Sequence, residues 1–159
     1  MSRLIKHESA GKLRTQLCKA VGLTLRELAS KAQPDDAARD MAAFVALCLR
    51  EIDATINESV AAWEKRDYWV KADRFRLEWQ WAGHYSAALT RALVDNNAAL
   101  LPEQLLKIGA RLQAVKLPLR NTAGEPWHGA LQRLRDIAGR AIKSRQWGES
   151  VKWTLWAPR

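Results

Sequence analysis

AARDMAAFVALCLREIDATINESVAAWEKR, residues 37–66, repeats apolar side chains at steps of three and four residues. This is the spacing of one face of an α-helix, and it persists for about seven turns. The stripe consists of Met41, Val45, Cys48, Ile52, Ile56, Val60 and Trp63. Pro34, Asp35 and Asp36 precede it, and a fixed φ and negative charge suit a helix N-terminus. We therefore predict a long amphipathic helix that begins near Asp35 or Asp36.

Helical spacing recurs through most of the chain, with breaks at glycine and proline. The first region is predicted as two short helices, because Gly22 ends one and Thr24 caps the next with Glu27. Residues 68–94 form a further helix, Pro102 opens another, and Pro126 opens the last. Strand-like alternation occurs only in SVKWTLWAP, residues 150–158. The side chains of Ala141 or Ile142 are expected to face inward on the last helix.

The predicted fold class is all-α: an up-down helical bundle, similar to a four-helix bundle, with an extra C-terminal helix and tail. The length of 159 residues suits one domain. It divides into a basic N-terminal segment (1–33), core helices (34–117) and a basic C-terminal helix with a Trp-rich tail (126–159). The tail tryptophans are expected to cap the bundle, add a strand to a partner or await a binding partner: Trp147, Trp153 and Trp156.

YWVKADRFRLEWQWAGHY, residues 68–85, places aromatic side chains on two sides of one predicted helix. Trp79 and Trp81 lie about 200° apart on such a helix. A four-helix bundle offers each helix one core face, so the second stripe needs an extra helix, the C-terminal tail or another subunit. We assign the second stripe to an oligomer interface: Leu77, Trp81 and Tyr85. The competing interpretation is that these rings stack on nucleic-acid bases.

The charge of the chain is positive and concentrated at its two ends. The net charge is +9; residues 1–33 and 128–159 each carry +5, and residues 34–127 carry −1. Such an excess favours a polyanion, although it can also serve solubility alone. The predicted nucleic-acid-binding residues lie on the last two helices: Lys107, Arg111, Arg133, Arg135, Arg140, Lys143 and Arg145. GLTLRELASKA, residues 22–32, resembles half of a helix-turn-helix, which leaves a DNA contact there open.

Several function classes lack a signal in this sequence. Cys18 and Cys48 are too few for a disulfide framework, and we expect no metal site and no cofactor. No phosphate loop or catalytic triad signature is present. Asp73, Glu78 and His84 do not converge on one helix face, so we expect no enzyme. No secretion signal or apolar run of membrane-spanning length occurs, and we expect a cytoplasmic protein without a membrane partner.

Two stretches resemble a known family: KADRFRLEW at 71–79 and LPEQLLKIGARL at 101–112. They are similar to the four-helix-bundle accessory variability proteins of diversity-generating retroelements, and to relatives encoded in intervening sequences of ribosomal RNA genes. Ala72 and Asp73 match an Ala-Asp pair of the third helix, and Ile108, Gly109 and Arg111 match a segment of the fourth. The resemblance implies a homo-oligomer, a pentameric barrel, that binds a reverse transcriptase and nucleic acid without catalysis.

These observations predict a basic accessory protein that binds nucleic acid, with RNA favoured, and a protein partner. The alternative is a small helical subunit of a CRISPR-type effector complex, whose basic face would line a filament. Sizing separates the two, because a ring has one discrete mass and a filament subunit is monomeric without its partners.

Overall fold

The computed structural model describes residues 9–156, with side chains described from residue 9 to residue 143. Within that range the chain is helical and contains no strand, which confirms the all-α prediction. A short 3-10 turn, Ala98–Leu100, precedes the fifth helix. The helices are α1 (Ala10–Ala29), α2 (Asp36–Glu64), α3 (Trp69–Trp79), α4 (Trp81–Val94), α5 (Leu101–Arg111) and α6 (Ala130–Trp156). None of the helices in residues 9–156 combines the length and the apolar character needed to span a bilayer.

Helix α2 forms the centre of the fold, as its apolar stripe predicts. The carboxylate of Asp35 caps it by accepting the Ala38 N–H at 2.8 Å. The predicted stripe is buried from Met41 to Val60, and Trp63 is half-buried at its end. α2 packs against α1, α3, α4 and α6, so it contributes to the core on several sides.

Four of the helices close a ring of contacts that defines the bundle. α1 packs on α2, α2 on α4, α4 on α5, and α5 returns to α1. Hydrogen bonds show that α1 and α2 are antiparallel, because Arg14 near the start of α1 reaches Ser59 near the end of α2. α6 lies outside this ring against α2 and α4, so the predicted extra C-terminal helix is present.

The expected break in the first helix is wrong. α1 runs without interruption from Ala10 to Ala29, and Gly22 lies inside it. A Cβ at Gly22 would lie 2.8 Å from Cδ2 of Leu117, so the glycine admits a close neighbour instead of ending the helix. Thr24 is not a cap either. It is buried, and its hydroxyl donates to the carbonyl of Ala20 at 2.8 Å.

The expected single helix over residues 68–94 is also wrong, because it is interrupted at Gln80. α3 ends at Trp79 and α4 begins at Trp81. On an unbroken helix these two side chains would point about 200° apart. In the structure their rings stack, with centroids 5.8 Å apart and planes 25° apart.

The last helix begins later and continues further than predicted. Pro126 lies in a turn, and α6 starts at Ala130 after Gly129, whose φ is +71°. The backbone remains helical to Trp156, which does not fit the strand that was one of the three alternatives for the tail. Ala141 and Ile142 are exposed, contrary to the inward position expected for one of them. The side chains of Arg145, Trp147, Trp153 and Trp156 lie outside the described residues.

Candidate nucleic-acid interface

The start of α6 is fixed to the bundle by a carboxylate from another helix. Oδ1 of Asp40 on α2 accepts the Leu131 N–H at 3.0 Å, and Oδ2 accepts the Gly129 N–H at 3.3 Å. Helix N-termini leave several N–H groups without an internal partner, and a carboxylate is a favourable acceptor there. Trp127 and Leu134 are buried on either side of this contact. The first turns of α6 therefore hold a defined position on the bundle.

The cations predicted on α6 are exposed where the structure describes them. Arg133 and Arg140 lie seven residues apart, which places them about 20° apart on the same flank of the helix. Lys143 is exposed one turn beyond Arg140. Arg135 lies about 200° from Arg133, on the other flank, where it lines a small crevice with Arg39. The predicted α6 residues thus form two groups rather than one face.

These α6 cations are not neutralised by neighbouring carboxylates. Among residues 9–143, no ion pair involves Arg133, Arg135, Arg140 or Lys143. Arg133 donates a long 3.4 Å hydrogen bond to the carbonyl of Pro126. The one carboxylate between residues 130 and 143, Asp136, accepts from Gln132 at 2.9 Å. This stretch therefore presents a positive surface to solvent.

The two predicted residues on α5 lie apart from that surface. α5 packs on α4 and α1, whereas α6 packs on α2 and α4. Lys107 is exposed but paired with Glu103 at 2.6 Å, and this hydrogen bond raises the pKa of Lys107. Arg111 is exposed at the end of α5. Within residues 9–143, no hydrogen bond or ion pair joins Lys107 or Arg111 to the α6 cations.

Five aromatic side chains form a continuous row within the protomer: Trp63, Phe75, Trp79, Trp81 and Tyr85. Ring centroids are 4.8 Å apart for Trp63–Phe75, 6.2 Å for Phe75–Trp79 and 6.4 Å for Trp81–Tyr85. Trp81 belongs to the core, with 8% of its surface exposed.

The premise for assigning Trp81 to an oligomer interface is therefore wrong, because Trp81 is buried within its own protomer and its ring stacks on Trp79. Of the three predicted interface residues, Tyr85 is half-buried and Leu77 is 66% exposed. Homo-oligomer formation stays a prediction.

Arg14, which the sequence did not single out, contacts two aromatic rings and two hydroxyl groups. Its guanidinium carbon lies 4.7 Å from the Phe75 ring centroid and 5.5 Å from that of Trp79. It also donates to the hydroxyls of Thr55 at 3.2 Å and Ser59 at 3.0 Å. Burial lowers the pKa of Arg14. A signal was present in the sequence, since Arg14 lies four and seven residues before buried Cys18 and Val21.

An apolar groove of about 660 Å³ lies at the corner between α2 and α3. Its apolar lining consists of Trp63, Tyr68, Trp69, Val70 and Phe75. Its charged lining consists of Asp67, Lys71, Arg74 and Glu78. Nζ of Lys71 lies 4.6 Å from the Trp63 ring centroid, which is a cation–π contact. The corner turns tightly because Asp67 adopts φ +61°.

The groups considered for catalysis and metal binding are placed as follows. Asp73 pairs with Arg76 at 2.7 Å, and Arg76 also pairs with Glu64 at 2.7 Å. His84 is exposed. In the described part of the chain, no three His, Cys, Asp or Glu side chains are grouped to hold a metal ion. Cys48 is buried in the core, and burial raises the pKa of its thiol to about 12.

Comparison with protein-family models, with curated proteins and with solved structures gave no match. The resemblance to the accessory variability proteins of diversity-generating retroelements therefore stays a prediction from residues 71–79 and 101–112.

Proposed function

We propose that this protein is a nonenzymatic accessory protein that binds nucleic acid through the phosphate groups. The observation that carries the proposal is the set of exposed α6 cations that lack a carboxylate partner among residues 9–143. Phosphates are the charged groups of nucleic acids, and Lys and Arg contacts to them supply most of the sequence-independent affinity.

The geometry of α6 suits a phosphate backbone. Arg133 and Arg140 lie seven residues apart, or about 10 Å along the helix axis. One strand of a duplex presents one phosphate per about 3.4 Å of axis, and an unpaired strand spaces its phosphates more widely, so the two arginines reach at least two separate phosphates in either case. Because Asp40 and the buried Leu134 fix the start of α6, both guanidiniums project from a positioned helix.

The proposal includes a protein partner. The resemblance at residues 71–79 and 101–112 implies the reverse transcriptase of a diversity-generating retroelement, with RNA as the nucleic acid and a homo-oligomeric, pentameric assembly. Co-expression with such a reverse transcriptase, followed by native mass measurement, tests this part. A chain that stays monomeric and does not copurify with the reverse transcriptase contradicts it.

Salt dependence of binding tests the phosphate contacts. We expect log affinity for a labelled oligonucleotide to fall linearly with log salt, with a slope of about −0.9 per duplex phosphate contact and about −0.7 for single strands. In the double variant Arg133→Ala/Arg140→Ala the slope becomes shallower by about 1.4 for a single strand, from two lost contacts.

The matched control removes the same charge elsewhere. Lys19 and Arg120 are exposed on α1 and in the α5–α6 connection. The variant Lys19→Ala/Arg120→Ala is expected to keep the slope of the unaltered protein. Equal slopes in the α6 variant and the unaltered protein contradict the proposal. So does the absence of RNA and DNA binding at roughly 50 mM salt.

A further inference from the structure

We infer that the groove at the α2–α3 corner binds unpaired bases, so that the nucleic acid of the proposed function is single-stranded. This inference rests on the proposed function and specifies its ligand. The α6 cations would hold phosphates, and the groove would hold the planar rings.

The first argument is the exposure of large apolar side chains at one corner. Tyr68 is 57% exposed, Trp69 56% and Val70 67%. Aromatic side chains normally bury a large apolar area, and adjacent exposed ones mark an interaction surface. Val70 and Leu77 lie seven residues apart on the side of α3 opposite Ala72, which is fully buried. The core of this chain, over the residues that the structure describes, therefore leaves this face of α3 uncovered.

The second argument is that the groove is already formed. The Trp63 and Phe75 rings meet edge to face at 4.8 Å and make its inner wall. The Tyr68 N–H donates to the Trp63 carbonyl at 3.0 Å, and the Ala72 N–H donates to the Tyr68 carbonyl at 3.0 Å. The backbone that carries the two exposed rings is thus held at both ends. The groove of about 660 Å³ is open to solvent and has a volume in the range of roughly 300–1,000 Å³ found for small-molecule sites.

The third argument is charge. Lys65 and Arg66 are exposed in the turn that leads into the groove, and Lys71 and Arg74 line it. Of the nearby carboxylates, Glu64 and Asp73 are already paired with Arg76. With Arg76 counted beside the other four cations, five positive side chains face four carboxylates, Glu64, Asp67, Asp73 and Glu78, which is a net charge of +1.

A positive, aromatic groove matches single-stranded nucleic acid, whose bases stack on rings while its phosphates contact cations. A duplex hides the faces of its bases and does not fit this description. A second copy of the chain that docked through this same corner would bring like charge against it. The observations therefore favour unpaired bases over a contact between copies.

The test uses the full-length protein and three fluorescent oligomers of about 12 nucleotides, a length within the usual site size for single strands. The first is oligo(A) RNA. The second is the corresponding duplex. The third is an abasic strand that keeps the phosphates but lacks the bases. Affinity is measured by anisotropy across a range of salt concentrations.

We expect the protein to bind oligo(A) about fivefold or more tightly than the abasic strand, since one stacked base contributes at least that factor. In Tyr68→Ala/Trp69→Ala this preference is lost while the salt slope stays unchanged, because rings release no counterions. Trp69→Phe keeps a ring and is expected to retain most of the preference. The control Leu106→Ala/Leu119→Ala, which alters leucines that are 76% and 97% exposed, leaves it intact. Circular dichroism checks that each variant is folded.

The outcomes separate the two proposals. Equal affinity for oligo(A) and the abasic strand overturns the groove inference, as does an aromatic variant that behaves like the leucine control. The inference is also overturned if Tyr68→Ala/Trp69→Ala breaks up a protein oligomer while its affinity for oligo(A) is unchanged. That result would show that the corner is a contact between copies of the chain. In these cases a salt slope that depends on Arg133 and Arg140 leaves the proposed function standing. If none of the three oligonucleotides binds at roughly 50 mM salt, both the groove inference and the proposed function are overturned.

Discussion

Replacing Asp40 by alanine should detach the beginning of α6 from α2. The carboxylate accepts two backbone N–H groups, from Gly129 and Leu131, and the substitution leaves both without this acceptor. Loss of a helix cap costs about 0.5–2 kcal/mol, and a hydrogen bond to a charged group contributes about 1.5–3 kcal/mol. Asp40 is half-buried, so water replaces part of what is lost. We expect the free energy of unfolding to fall by about 2 kcal/mol, from two bonds partly replaced by water.

Urea denaturation followed by circular dichroism measures this change. A loss of about 2 kcal/mol corresponds to a fall of about 4–8 °C in melting temperature for a chain of this size. Asp40→Asn keeps one oxygen acceptor without the charge and should lose about half as much. Hydrogen exchange shows where in the fold stability is lost. The amides at the start of α6 should exchange faster, while those of α1 keep their protection.

The control is Asp95→Ala, at the exposed C-terminal end of α4. Negative charge is unfavourable there because of the helix dipole, so this variant should be neutral or slightly stabilised. If Asp40→Ala is no less stable than Asp95→Ala, the contact between α2 and α6 does not hold α6. Unchanged hydrogen exchange at the Gly129 and Leu131 amides would equally show that Asp40 does not hold them.

Two further predictions concern the core. Trp81→Ala should lower the free energy of unfolding by about 3–5 kcal/mol, and Leu77→Ala by no more than about 0.5 kcal/mol, because the first side chain is buried and the second is exposed. Urea denaturation at several protein concentrations checks both, and a concentration-dependent loss in Leu77→Ala would show that a neighbouring chain covers Leu77. Burial raises the pKa of the Cys48 thiol to about 12 in the folded protein, above its ordinary value. The neutral thiol's contribution to the free energy of unfolding is therefore present at neutral pH and is lost as pH rises from about 9 towards 12. Between about pH 8 and pH 10.5, Cys48→Ala should therefore lose less stability than the unaltered protein, and equal losses contradict this.

The parts of the fold that could be predicted depend on local patterns. The stripe of α2 and its cap at Asp35 follow from spacing and from side-chain chemistry within a few residues. Pro102 in the first turn of α5 follows in the same way. The exposed cations of α6 could be predicted too, since a run of charge on a helix is rarely buried.

The features that could not be predicted depend on residues far apart in the chain. The local sequence predicts that Gly22 ends a helix. In the structure Gly22 leaves space for Leu117, which packs against it from the α5–α6 connection. The break at Gln80 has no glycine or proline to mark it, and the burial of Trp81 depends on packing between helices, which helical periodicity does not report. Asp40 looks like an ordinary polar residue of α2 until the start of α6 is placed beside it.

How the predicted cations of α5 and α6 lie relative to one another also depends on contacts between distant parts of the chain. Helical spacing along α6 places Arg133 and Arg140 on one flank and Arg135 on the other, whereas the prediction treated the α6 cations as one set. Whether α5 and α6 share a side of the bundle is a question of topology, and helical periodicity carries no information about it. The pairing of Lys107 with Glu103 was visible at i,i+4 spacing and marks Lys107 as the weakest of the predicted contacts.

The central place of α2 has a consequence for synthesis on the ribosome. α2 is complete when residue 64 has been added, yet α4 ends at Val94 and the buried Leu134 of α6 comes 70 residues after residue 64. At roughly 5–20 residues per second, that delay lasts about 4–14 s. α1 alone covers part of α2 until α3 and α4 are added, and the apolar surface that later meets α6 stays open to chaperones and to other nascent chains until the end of the interval. Slow translation over residues 95–134 is therefore expected to prolong the exposure of this surface.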